Sequence, residues 1–102
     1  MKHNIIVKFK PEITSKMQQD MYKDIYEIFE HTTEIDGVHS VRLIPNCIDR
    51  ENRYHLVIEI DMERDALPLY DACEWHKKWK KDYGDLLEKK TIIDLEDPLV
   101  FN

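Results

Sequence analysis

In the stretch RYHLVIEIDM, residues 53–62, large apolar or aromatic side chains recur at every second position. Tyr54, Leu56, Ile58, Ile60 and Met62 fall on one face, and His55, Val57 and Glu59 on the other, which is the period of a β-strand. A strand that is fully apolar on one side only belongs in a sheet with helices on that side and something tolerant of His and Glu on the other. The remaining segments must therefore supply partner strands and amphipathic helices.

They do so in a definite order. KHNIIVKFK at 2–10 alternates as a strand, with His3, Ile5, Val7 and Phe9 on one face, and Pro11 ends it. Ser15 and Gln18 have capping-box spacing, and Met17, Met21, Ile25, Ile28 and Phe29 then recur at helical intervals to about Glu34. Gly37 reverses the chain, VHSVRLIP at 38–45 reads as a second strand, and NCIDREN is a polar turn. Residues from about Glu63 to Leu87 read as two short helices bent near Trp75, and EKKTIIDLE at 88–96 as a fourth strand. Strand, helix, strand, strand, helices, strand is the ferredoxin-like βαββαβ arrangement: one α+β domain over 1–102, a four-stranded antiparallel sheet with helices on one face. By parity Ile5, Val7, Phe9 and Val57, with Ile92, are expected on the uncovered face. That patch is too apolar for water, so a homodimer through the open sheet face is predicted.

Charge narrows the function classes. With 21 acidic against 15 basic residues the formal charge is −6, which excludes nucleic-acid binding as the function of the whole surface. No apolar run approaches the roughly 20 residues of a membrane span, so no membrane partner is expected. Cys47 and Cys73 are the only cysteines, and MKHNIIVKFK breaks its apolar run with Lys8, so a cytoplasmic location with free thiols is expected.

Chemistry concentrates in LYDACEWHKKWKK at 69–81, which as a segment permits a nucleic-acid patch, half a metal site or the rim of a pocket. Cys73 and His76 have the separation of half a zinc site, but no second ligand pair stands at suitable spacing; neither metal nor cofactor is expected. His55 and Glu59, two pleats apart, are equally thin as metal ligands. Lys77, Lys78, Lys80 and Lys81 can meet Asp82 and Asp85 one turn on, as a solvated helix face does. His76 borders the apolar stripe Trp75, Trp79, Tyr83 and Leu86. It is either a general base beside a pocket or a helix-border histidine satisfied by a backbone carbonyl. Tyr70 stands at core or rim, and His3 and His55 are strand-face histidines with structural or barrel-bridging roles.

KHNIIVKFKPEIT, IDGVHSV, RYHLVIEIDMERDALPLYDACEWHKKW and LLEKKTIIDLE, in that order over about residues 2–96, resemble the Dabb family of stress-responsive dimeric α/β-barrel proteins. The resemblance implies a dimeric α+β barrel with a small-molecule cavity between sheet and helices. The olivetolic-acid-cyclase-type branch would place its catalytic pair on Tyr70 and His76. It would also set His3, His55, Met21, Tyr22, Ile25 and Trp79 around the ligand. Lys90 departs from it by putting a charge where that wall is apolar, and CEWH stands where HPxH is common. The function implied is a cyclase or lyase acting on a small, polyketide-like carbonyl compound. The alternatives are a non-catalytic stress-responsive ligand-binding protein and a monooxygenase-type dimeric barrel.

Overall fold

A computed structural model describes residues 1–102. The strands are β1 (Lys2–Phe9), β2 (Val38–Pro45), β3 (Leu56–Met62) and β4 (Leu87–Leu95). The helices are α1 (Ser15–Glu30), α2 (Leu67–Ala72) and α3 (Glu74–Tyr83), with single 3₁₀ turns at His31–Glu34, Arg64–Ala66 and Gly84–Leu86. The sheet is antiparallel throughout in the order β2-β3-β1-β4, so the ferredoxin-like α+β expectation holds.

The helices cover one face of the sheet, and the core lies between. Ile5, Val7 and Phe9 of β1 and Leu56, Ile58, Ile60 and Met62 of β3 pack there against Ile25, Ile28 and Phe29 of α1 and Trp79 and Tyr83 of α3. Burying each of these side chains contributes about 1.5–3 kcal/mol.

The expected open face is therefore corrected. Ile5 and Val7 are 2% and 0% exposed and belong to the core, not to the uncovered surface with Val57. Register gives the reason: Ile5 opposes Ile58 and Val7 opposes Leu56, and directly opposed residues share a face. β1 is apolar on both sides through Ile5, Ile6 and Val7, so its own period cannot say which side turns inward. The open face instead carries Ile6 and Val57, which oppose one another, with Ile44 opposite Val57 and Asn4 opposite Ile93. Arg42 and Glu59 pair across it at 3.0 Å, and Lys2 meets Asp61 at 2.8 Å. Ile92 opposes Ile5 and so stands on the helix side.

The alternation read from residue 53 breaks before β3 begins. His55 stacks on Phe9 with centroids 5.9 Å apart, and its Nδ1 accepts the Phe9 N–H at 2.9 Å, on the core side. The Tyr54 hydroxyl lies 3.0 Å from Thr91 Oγ1, and Thr91 opposes Ile6 on the open side. His55 and Glu59 are thus on opposite faces and cannot form a site together.

Local chemistry sets the helix ends. Thr14, not Ser15, caps α1, its side chain accepting the Met17 N–H at 3.2 Å. Gln18 is buried with its amide on the Ile13 carbonyl, while Met17 is exposed. The bend between α2 and α3 falls at Cys73, whose extended backbone and Sγ, accepting the His76 N–H at 3.4 Å, start the second helix. Gly37 is the single residue at positive φ, at 91°, and a Cβ there would stand 3.1 Å from that of Ala66. Gly37→Ala is expected to cost about 1–2 kcal/mol from the backbone alone, read as a lower urea midpoint with unchanged m-value.

Candidate functional site

Three short periods converge beside the open end of the core. On β1, His3 and Ile5 point to the helix side, two residues apart. On the adjoining β4, Lys90, Ile92 and Asp94 do the same. On α3, His76, Trp79 and Lys80 share a helical face at i, i+3 and i+4. Together with Leu67 and Asp71 they line a cavity of about 320 Å³, at the small end for a ligand site. A larger hollow of about 370 Å³ lies over the end of α1, but Glu27, Glu30, His31, Thr33 and Glu34 line it without one apolar side chain. It offers nothing to desolvate a ligand, and the smaller cavity is the better site.

His76 is half-buried, and its Nδ1 donates to the Asp71 carbonyl at 3.0 Å. That bond uses the Nδ1 proton, so the neutral ring carries its free lone pair on Nε2. Burial is the main influence holding its pKa below the ordinary histidine value. The charges of Lys80 and Lys90 add to this, while the Asp71 carbonyl and carboxylate oppose it. The ring is therefore unprotonated at neutral pH, as a general base must be.

Tyr70 lies beneath, with its ring centroid 4.8 Å from that of His76 and 5.3 Å from that of His3. It is 0% exposed, and its hydroxyl is buried without a hydrogen-bond partner. Of the core and rim positions open to Tyr70 it takes the core: its hydroxyl is sealed from water, and Tyr70 adjoins the cavity wall rather than lining it. Desolvation raises its pKa far above the phenol value, so it remains a donor at every working pH. His3, also buried, meets Asp94 Oδ1 through Nδ1 at 2.5 Å.

An orphaned buried hydroxyl costs about 1–3 kcal/mol, so Tyr70→Phe is expected to leave stability unchanged or raise it by roughly that amount. A thermal melt checks this. A clear fall in melting temperature would mean that the hydroxyl has a partner in solution.

The remaining sequence candidates divide. His3, Trp79 and Lys90 join His76 at the cavity. His55 and Tyr22 line a separate cavity of about 280 Å³ with Gln18, Asn46 and Asp49, beyond the ends of β2 and β3. Ile25 is fully buried in the core and Met21 packs partly buried against it, so neither stands at the His76 wall. Lys80, Asp71 and Asp94 were absent from the sequence candidates. Alternation along TIIDL from Lys90, and the i+4 step from His76, would have found Lys80 and Asp94 once His76 was taken as the anchor. Cys73 and Cys47 are free thiols, Cys47 exposed.

No protein-family model matches the sequence, and neither does any curated protein. Solved structures do match over nearly the whole chain. A dabb family protein with a ferredoxin-like fold from Mesorhizobium loti superposes with a TM-score of 0.71 at 20% identity, over 97% of this chain and 96% of its own. The hydroxynitrile lyase from Passiflora edulis gives 0.71 at 12% identity, over 99% and 94%. A dimeric protein of unknown function with a ferredoxin-like fold from Bacteroides fragilis gives 0.68 at 13%, over 94% of each chain. The chain therefore has the ferredoxin-like α+β fold carried by a Dabb family protein, as its segments at 2–96 imply.

Proposed function

We propose that this is a Dabb-type protein that pairs through its open sheet face as a dimeric α+β barrel and acts on a small carbonyl compound in the His3–His76 cavity. His76 Nε2 takes a proton from the carbon next to the carbonyl. The C–H electron pair becomes the enolate double bond, and the carbonyl pair moves onto oxygen, to which the Tyr70 hydroxyl donates a hydrogen bond once the His3 or His76 ring yields. Return of the proton from His76 to carbon completes an isomerase-type step, attack of that carbon on a second carbonyl forms the C–C bond of a cyclase-type step, and the reverse of that attack, which breaks the C–C bond and releases the second carbonyl, is the lyase-type step.

The observation that carries this reading is the His76 tautomer: Nδ1 is held by the Asp71 carbonyl, which leaves Nε2 as the free base beside an apolar and cationic wall. The lyase activity of the similarly folded Passiflora edulis protein, and the dimeric state of the Bacteroides fragilis one, support the class and the pairing. A second reading, ligand binding without turnover, is favoured by the sealed Tyr70 hydroxyl, which reaches a substrate only if the His3 or His76 ring yields.

Hydrogen–deuterium exchange separates the two. Incubation of the protein in D₂O with 2-oxobutyrate and with simple ketones is expected to erase the proton signal next to the carbonyl faster than buffer does. Binding without accelerated exchange across that set leaves the ligand-binding reading.

A further inference from the structure

By spacing, the lysines of α3 form one solvated row, and for Lys78 this holds, since it pairs with Asp82 at 2.7 Å. Lys80 does not follow. It turns to the cavity, and so does Lys90 from the opposite wall on β4. Neither lysine has a carboxylate within ion-pair distance, whereas Lys2, Lys8, Lys16 and Lys78 each do. Two acids also line the cavity. Asp94 is engaged by His3, and Asp71 offers its backbone carbonyl to His76 while its side chain lies exposed. What remains without a partner at the wall is two ammonium groups, Lys80 from α3 and Lys90 from β4, beside the exposed Asp71 carboxylate. With two lysines and two aspartates the lining is formally neutral, in a chain whose formal charge is −6.

An ammonium group without a partner at the rim of a half-enclosed, partly apolar cavity retains donors for an incoming anion. The dimensions agree: about 320 Å³ admits a small organic acid with a short apolar chain against Ile5, Leu67, Trp79 and Ile92. Resting on the carbonyl-compound reading above, we infer that the ligand of this cavity is a small oxo acid whose carboxylate is held between Lys80 and Lys90. This places its oxo-bearing carbons over His76. The carboxylate also orients the ligand, because the two cations select one end of it. Lys90, the residue that departs from the cyclase-type wall, is then the residue that sets substrate class.

The experiment is a ¹⁵N-amide NMR titration of the full chain with 2-oxobutyrate and with its methyl ester, repeated on the Lys80→Gln, Lys90→Gln double variant. The expected result is saturable shifts around His76 and Trp79, affinity for the acid at least tenfold above that for the ester, and loss of that preference in the double variant. Both lysines are exposed, so the variant is expected to fold, and its amide spectrum checks this. Equal binding of acid and ester, an unchanged preference in the double variant, or no shifts at tens of millimolar acid each overturn the proposal. Deuterium exchange on the same samples distinguishes it from the reading beneath. Lysine-dependent binding without exchange keeps the anion site and removes the catalysis. Exchange that is lost with His76→Ala but is indifferent to both lysines does the reverse.

Discussion

Val7→Asp is expected to abolish folding, while Ile6→Asp, one residue away, leaves a folded chain that no longer self-associates. Val7 is 0% exposed, opposes Leu56 and is enclosed by the helices. An unpaired carboxylate there costs several kcal/mol, a large share of the roughly 5–15 kcal/mol that stabilises a typical domain. Ile6 is half-buried and faces the opposite way, between Val57 and Thr91. A carboxylate there keeps its water in the lone protomer but loses it when two such faces meet. Circular dichroism reads the first effect and sedimentation equilibrium the second. A folded Val7→Asp protein would show that the core is not where register places it. An Ile6→Asp protein that still dimerises would move the interface off this face.

His76→Ala should cut turnover of a carbonyl substrate by about 10²–10⁴-fold, the usual contribution of a general base. It should leave the fold intact, because the half-buried ring gives up one hydrogen bond to a backbone carbonyl, worth about 1 kcal/mol. The wild-type rate carries the signature of the same group. Its pKa is depressed by burial and then by Lys80 and Lys90, against the pull of Asp71, so the base stays active below the ordinary histidine range. The rate should fall on the acid side only as pH drops through that lowered value. Stability follows the same sign. The unfolded chain takes up the proton first, near pH 6.5, so the contribution of His76 is fully present above that value. It is lost as pH falls toward the folded-state pKa. A rate that climbs on acidification, or an alanine variant with unchanged turnover, would remove His76 from the chemistry.

Periodicity was sufficient wherever one side of an element was polar. β2 begins and ends where its pattern does, and α1 and β4 agree to within a turn or a residue. It failed on β1, where Ile5, Ile6 and Val7 are apolar in succession and only pairing with β3 chooses the inner side. It failed again at Tyr54 and His55, where the backbone turns into the strand and the apparent alternation is coincidental. The site divided along the same line. His76 and Tyr70, six residues apart across one bend, stand with their rings 4.8 Å apart, but only His76 lines the cavity, with His3, Trp79 and Lys90. Tyr22, Ile25 and Met21 do not, because a helix stripe says that a residue faces inward but not which part of the interior it meets. That depends on how α1 and α3 lie across the sheet.

β4 is nine residues long, pairs with β1 along one side only, and presents Ile93 and Leu95 to solvent. The other outer strand, β2, ends on Pro45, which has no N–H to offer a further strand. The two margins of the sheet are thus unequal as templates, and a protomer separated from its partner is more adhesive along β4 than along β2. Dilution and crowding then matter to this protein in a way that melting temperature does not report. Colloidal loss should begin from folded protomers, grow end to end by strand addition, and respond to charge placed on residues 93 and 95 more than to any gain in core stability.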